Sequence, residues 1–270
     1  MIIKIIKYLF FGLLQGFTEP LPISSSGHLY LFRYLLNTDT FSDLTFEIVL
    51  NFASLIAIFF IFRKDIIRLI KSFITYIIDK TKRSNNVIKN DFKYCILIVI
   101  GSIPAALAGI LFKDQIEALI SPKLLGIAFI ITAIMLFIVR KYKGKKKDED
   151  ITYIDAIIIG LFEMIALFPG ISRSGAVLVG CLLMGLSRDS SIKYSFMLYL
   201  PVSIGSFIFS LDELGSLSSS LILPYIIGFI ASMVMTYFAS LWFFDIVKKG
   251  KLAKFSIYLI LLGLIVLIFV

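Results

Sequence analysis

Six stretches of this 270-residue chain are apolar over about the length needed to cross a bilayer: residues 44–62, 94–112, 123–139, 192–211, 221–244 and 255–270. A hydrocarbon core about 30 Å thick takes about 20 apolar residues in a helix. Inside lipid every backbone N–H and C=O must be bonded within the protein, so only helices and closed barrels span it. The runs are twice as long as barrel strands, so the chain reads as an all-α polytopic membrane protein. Composition agrees: 59% of residues are hydrophobic and 17% charged, against about a quarter charged in a soluble domain.

The net charge of +9 would suggest nucleic acid in a soluble protein. Here the basic residues cluster at 63–93, 140–147 and 248–254, between apolar runs, which is the charge bias of cytoplasmic loops. No nucleic-acid partner is expected. Residues 65–83, DIIRLIKSFITYIIDKTKR, alternate apolar and basic positions at helical spacing and predict an amphipathic helix lying on the inner membrane surface. Cys95 and Cys181 each lie in apolar sequence and read as small buried hydrophobes. The N-terminal apolar run has no small-residue cleavage site after it and reads as part of the mature fold.

Two segments remain, 1–42 and 151–190. Each has an apolar arm, a Pro/Gly/Ser-rich middle and a second apolar arm. With the basic clusters cytoplasmic, segment 151–190 starts and ends inside, and 1–42 starts and ends outside; Asp114, Glu117, Asp212 and Glu213 fall outside. Lys4 and Lys7 also fall outside, two charges set against three clusters. Both segments therefore read as re-entrant hairpins. An alignment at a constant offset of 148 supports this. It pairs GLLQGFTEPLPISSSGH (12–28) with GLFEMIALFPGISRSGA (160–176) and matches Gly12/Gly160, Leu13/Leu161, Ile23/Ile171, Ser24/Ser172, Ser26/Ser174 and Gly27/Gly175. Three spans follow each copy, and an odd number of crossings inverts the second. The expectation is one integral-membrane domain over 1–270, about six transmembrane helices plus two re-entrant hairpins. It divides into inverted halves 1–147 and 148–270 whose tips meet near the midplane.

Irregular backbone at membrane depth is tolerated where it lines a polar cavity or is buried in protein. Ser24, Ser25, Ser26 and Gly27 precede a new helix, as do Ser172, Arg173, Ser174 and Gly175. Free N–H groups and the helix dipole at such starts favour an anion, and Arg173 adds a guanidinium, costly at bilayer depth. Two helix starts and an arginine predict a phosphate or diphosphate cradle. Close packing of small residues would explain the serines and glycines, but not Arg173 or His28. Gln15 and Glu19 are four residues apart, on one helix face aimed at the first tip, and His28 follows the serines. A carboxylate, an imidazole and a hydroxyl beside an anion cradle fit phosphoryl transfer. Ser25 occupies the place symmetric to Arg173. Glu47 and Asn51, four apart, read as supporting groups or as residues facing outer water. Pro104 and Pro201 are expected to kink their helices.

The stretches EPLPISSSGH (19–28), PGISRSG (169–175) and IPAALAG (103–109) resemble the undecaprenyl-diphosphate phosphatase (bacitracin-resistance) family over nearly the whole chain. The resemblance implies a bacterial plasma-membrane enzyme, which hydrolyses undecaprenyl diphosphate to undecaprenyl phosphate and inorganic phosphate. That reaction recycles the lipid carrier for cell-wall polymers and confers bacitracin resistance. It implies a divalent cation, magnesium or calcium, and metal, phosphate and catalytic roles for Glu19, Ser25, His28 and Arg173. The family usually carries a second glutamate four residues before the equivalent of Glu19, where this chain has Gln15, and a glutamine where it has Glu163. Because 15 and 163 are symmetric positions, the carboxylate is expected from the other hairpin, with Glu163 joining Glu19 at the metal; the alternative is weaker metal binding, or binding kept with hydrolysis lost. The partners expected are a polyprenyl diphosphate and membrane lipids; a homodimer is compatible with the sequence. The alternative function, from inverted repeats with broken helices, is a polyprenyl-phosphate flippase with little or no hydrolysis. The site is expected to open to the extracytoplasmic side.

Overall fold

Short polar residues set the helix boundaries along the chain. Ser24, Asn85, Ser121, Thr152 and Ser172 each cap a helix by accepting from a backbone N–H two or three residues on, satisfying donors that would otherwise be orphaned. In the computed structural model, residues 2–36, 44–209 and 219–270 are described. Their helices are α1 (Ile2–Thr18), α2 (Ser25–Leu35), α3 (Leu44–Ile78), α4 (Asn86–Leu111), α5 (Lys113–Ala118), α6 (Pro122–Val139), α7 (Tyr153–Ile165), α8 (Arg173–Leu183), α9 (Arg188–Phe209), α10 (Ser219–Lys248) and α11 (Ala253–Phe269). Among the described residues no strand is formed, and one isolated parallel bridge joins Lys146 to Leu186.

Five helices are long and apolar enough to cross a membrane: α3, α4, α6, α9 and α10. The sixth expected span is α11, an apolar helix of 17 residues, about 25 Å long at 1.5 Å per residue. The chain is an all-α, multi-pass membrane protein. Pro104 and Pro201 both lie inside continuous helices, α4 and α9. The expected outer acids Asp212 and Glu213, and residues 37–42 of the first hairpin, lie outside the described residues.

One expectation is corrected. Residues 65–83 do not form a separate surface helix: Asp65 to Ile78 continue the span as one 35-residue helix, and Lys80–Ser84 form a 3-10 turn. No glycine or proline interrupts FRKDII, so nothing stops propagation. The extension is also held by α4, through a Ser72 hydroxyl donating to Asp91 at 2.8 Å and Phe92 stacked on Tyr76 and Phe73. At about 1.5 Å per residue the helix is some 52 Å long, longer than a bilayer core is thick.

The two hairpins exchange partners between the halves. α1 lies along α10, and α7 lies along α4. Both contacts are made where glycine lets backbones touch. A Cβ on Gly12 would meet the carbonyl oxygen of Gly228, and a Cβ on Gly160 that of Gly101. Lipid is as apolar as a leucine side chain, so close fit rather than hydrophobic transfer holds helices together in a membrane. Thus Gly12 and Gly160, at the same place in the two repeats, do the same packing work. α6 and α11 close the bundle against each other.

The tips meet in the interior. The Ser174 hydroxyl donates to the Leu21 carbonyl at 2.8 Å, and the Ser172 hydroxyl to the same oxygen at 3.5 Å. Leu21 and Ile23 are buried with Phe129 of α6 and Leu178 and Leu182 of α8. Ser24 stands at φ +66°, a left-handed conformation that costs a non-glycine residue about 1–3 kcal/mol. The surrounding core holds it there, and its side chain still reaches the Gly27 N–H at 3.2 Å.

Candidate active site

A cavity of about 260 Å³ opens where the tips meet. Ser24, Ser25, Ser26 and Glu19 line it from the first tip, and Ser172, Arg173 and Ser174 from the second; Glu47 and Asn51 come from α3. Both α2 and α8 begin at this wall, so two positive helix ends face one space. Gly27 and Gly175 do not line it. Their N–H groups are taken by Ser24 and Ser172, at 3.2 and 3.1 Å, and the earlier first-turn N–H groups of Ser25, Ser26, Arg173 and Ser174 are left without a backbone acceptor among the described residues.

Glu19 and Arg173 join the halves. Arg173 Nη2 donates to Glu19 Oε1 at 2.5 Å. The other oxygen, Oε2, accepts from the Ser25 hydroxyl and from Gln15 Nε2 at 3.1 Å. Gln15 Nε2 also donates to Asn51 Oδ1 at 2.6 Å. The guanidinium of Arg173 stacks over Tyr199, 3.6 Å from Cζ to the ring centroid, and reaches Ser203 at 3.4 Å. Stacking fixes the plane of the fork, which suits bidentate recognition of phosphate. A hydroxyl bonded to a carboxylate that is itself held by other groups is the arrangement of a nucleophile and its base.

Sequence reasoning missed α9. Tyr199, Ser203 and Ser206 all line the cavity, and Tyr199 donates to the Asn51 carbonyl at 3.1 Å. The available signal was a polar stripe at i, i+4 and i+7 on an apolar span, masked by reading Tyr199-Leu200-Pro201 as a kink.

His28 is not in the cavity wall. It is 3% exposed. Its Nδ1 lies 2.8 Å from the Ser24 carbonyl, and its Nε2 2.7 Å from the Tyr258 hydroxyl of α11. A carbonyl only accepts, so Nδ1–H donates to Ser24, while the Tyr258 hydroxyl, able to donate or accept, meets Nε2. The ring stacks on Tyr258 at 5.8 Å and leans on Phe129. Four residues after the cap, the side chain folds back onto the strained Ser24 backbone from behind the tip.

Glu163 is not brought to the cavity either. It is 1% exposed, and neither carboxylate oxygen has a hydrogen-bond partner among the described residues. It is buried on α7 together with Gly160, the glycine that packs on α4, and it does not line the cavity. Gln15, its symmetric counterpart, also sits one layer behind its tip, with Oε1 unpartnered.

Among the described residues no group of three His, Cys, Asp or Glu side chains gathers to hold a metal unaided. Glu19, Glu47 and Asn51 nevertheless line one cavity, and Glu47 is held by Arg33 at 3.5 Å. Hard oxygen donors of this kind suit magnesium or calcium, ions commonly held by one or two carboxylates plus substrate phosphates. The donor set fits such an ion shared with a phosphate ligand; Glu163 is not part of it.

Comparison with known proteins gives a family and close relatives. A family model described as "Bacitracin resistance protein BacA" matches residues 8–265. The chain is similar to "Undecaprenyl-diphosphatase 2" of Bacillus thuringiensis (strain Al Hakam), 44% identical over 268 residues, covering 98% of this chain and 97% of the relative. Relatives of the same name come from Bacillus licheniformis (number 1), 42% identical with 98% of both chains covered, and Oceanobacillus iheyensis, 41% identical with 98% and 96% covered.

Proposed function

The chain belongs to the bacitracin resistance protein BacA family, and on that premise we propose that the cavity between the tips hydrolyses undecaprenyl diphosphate to undecaprenyl phosphate and inorganic phosphate. The observation that carries this reading is the Glu19–Arg173 pair, formed across the two halves at the mouths of two helix starts. The first-turn N–H groups and Arg173 receive the diphosphate, and the prenyl tail stays in lipid. Ser25 is the nucleophile: its Oγ attacks the terminal phosphorus while Glu19 takes the hydroxyl proton. The anhydride P–O bond breaks, and undecaprenyl phosphate leaves with the bridging oxygen. Glu19 then gives that proton up to solvent and takes one from water, whose oxygen attacks the phosphoserine; the Oγ–P bond breaks, Glu19 passes the water's proton to the departing Ser25 Oγ, and inorganic phosphate leaves with Ser25 restored.

Arg173 would trade its bond to Glu19 for the phosphate, freeing the carboxylate to act as base. A magnesium- or calcium-type ion would be held by Glu19, Glu47 and Asn51 and would neutralise charge on the diphosphate. His28 supports the reaction as a positioning residue, bracing Ser24. The setting proposed is the bacterial plasma membrane, with the cavity reached from the extracytoplasmic side and the reaction recycling the carrier lipid for cell-wall synthesis; the charge bias of the loops supports that orientation. Transport without hydrolysis is not favoured: the relatives are named as diphosphatases, and a carrier has no use for a hydroxyl set against a carboxylate.

The test is phosphate release from a prenyl diphosphate by purified protein, with and without EDTA, and acid-quench trapping with substrate labelled at the terminal phosphate. Metal-dependent release and a labelled protein that disappears in Ser25→Ala are expected. Release without any labelled intermediate would replace Ser25 by water as the attacking group, and no release with any divalent ion would remove the hydrolase reading.

A further inference from the structure

A second polar cleft, of about 730 Å³, lies at the basic ends of the helices, formed by Arg140, Lys141, Lys143, Arg188, Lys248 and Lys249, with Gly250. We propose that it binds the phosphodiester headgroup of an anionic membrane lipid. Loop charge that only sets topology needs no fixed geometry. Here the geometry is fixed. The loop after α6 is pinned to the loop before α9 by the bridge at Lys146, whose N–H donates to the Gly185 carbonyl at 3.0 Å while its own carbonyl accepts from Ser187 at 2.8 Å. That bridge holds Arg140, Lys141 and Lys143 beside Arg188.

Arg188 is itself seated. Its Nη1 donates to the Lys248 carbonyl at 3.2 Å, and its Nε, shielded from solvent, has no acceptor among the described residues. Gly250 turns against it at φ +70°. A Cβ there would come within 2.5 Å of both terminal guanidinium nitrogens, so the turn takes glycine both for its conformation and for the arginine it wraps. The guanidinium is held by one backbone carbonyl while its Nη2 has no acceptor among the described residues, and that free end of the fork suits a phosphate.

Charge balance singles this cleft out. A neighbouring cleft of similar size, about 790 Å³, has four basic side chains against four acidic ones, joined by pairs such as Arg68–Asp91 and Lys193–Asp148. The 730 Å³ cleft has no acidic residue in its wall. Lys248 and Lys249 are paired with Asp189 and Asp245, but Arg140, Lys141, Lys143 and Arg188 have no ion pair among the described residues. Phe137 and Ile138 on the last turn of α6, and Trp242 six residues before the end of α10, are exposed, where acyl chains would run below a headgroup. A basic pocket between helix ends at the membrane surface is a lipid-headgroup site by its chemistry.

The test is native mass spectrometry of the full chain in detergent, offered phosphatidylglycerol, phosphatidylcholine or glycerol 3-phosphate. Phosphatidylglycerol should be retained over phosphatidylcholine, and glycerol 3-phosphate should not be retained. Lys141→Gln with Lys143→Gln, two exposed side chains without ion pairs, should weaken retention by about fivefold per charge removed, and Arg188→Gln by at least as much. Lys145→Gln with Lys147→Gln, the same charge loss in the balanced cleft, should leave retention unchanged. Equal loss in that control, equal retention of phosphatidylcholine, or retention of glycerol 3-phosphate to the same degree as the lipid would each overturn the proposal.

Discussion

At equivalent places, 148 residues apart, the two tips carry different chemistry on the same frame. Ser24 and Ser172 cap their helices alike, and Gly12 and Gly160 seat their hairpins alike. Yet at the offset of 148 Glu19 corresponds to Leu167, Ser25 to Arg173, and His28 to Ala176. The first tip holds the carboxylate, the hydroxyl and the brace behind them. The second holds the cation. On the proposed mechanism the base and the nucleophile lie on the first tip and the charge stabiliser on the second, so the proposed site needs both. The comparison teaches that symmetry here lies in the serine caps and the packing glycines, while the tips differ in side-chain chemistry and in backbone, Ser24 standing at φ +66° and Ser172 at φ −72°.

The division of labour can be broken most forcefully at its carboxylate. Glu19→Gln should lower phosphate release by about 10³-fold, the scale of losing a reacting group in a preorganised site. Adding Leu167→Glu, which places a carboxylate at the symmetric position, should restore nothing; recovery of activity would mean that the tips are interchangeable.

Next in size is the hydroxyl pair. Ser25→Ala should cost about 10²–10³-fold in kcat, whereas Ser26→Ala, in the same wall but without a bond to Glu19, should cost about tenfold at most. Equal losses would reduce Ser25 to one more lining serine.

The brace should weigh less. His28→Ala should lower kcat by about 10–100-fold with KM little changed, since the ring touches Ser24 and Tyr258 rather than the cavity. Tyr258→Phe should cost only a few-fold, and a matching rise in KM would place His28 on the substrate instead.

The smallest effect sharpens the symmetric side. Gly12→Ala and Gly160→Ala should each lower stability by about 1–3 kcal/mol through overpacking, by similar amounts, read as detergent-melting shifts. A large difference between them would show that the halves are not held by equivalent contacts.

Much of this molecule was legible in the sequence, for a physical reason. Lipid punishes an unpaired backbone group and a lone charge, so every apolar span, both Pro/Gly/Ser tips, and Glu19 and Arg173 stood out against their surroundings. The short offset alignment found Ser24 with Ser172 and Gly12 with Gly160 because cap and close-packing chemistry leave few residue choices. What the sequence could not settle was direction. Tyr199, Ser203 and Ser206 looked like a kinked span until α9 was laid against the tips. His28, expected at the cavity, is bonded instead to Ser24 and to Tyr258 of α11, and Glu163, expected beside Glu19, is buried without a hydrogen-bond partner among the described residues and outside the cavity wall. Residues 65–78 looked like a surface helix until α4 gave the extension a partner. Local chemistry along the chain determined where helices start, stop and admit polar groups. Which face each helix turns to its neighbours depends on contacts between residues far apart in sequence, and only the tertiary structure decided that.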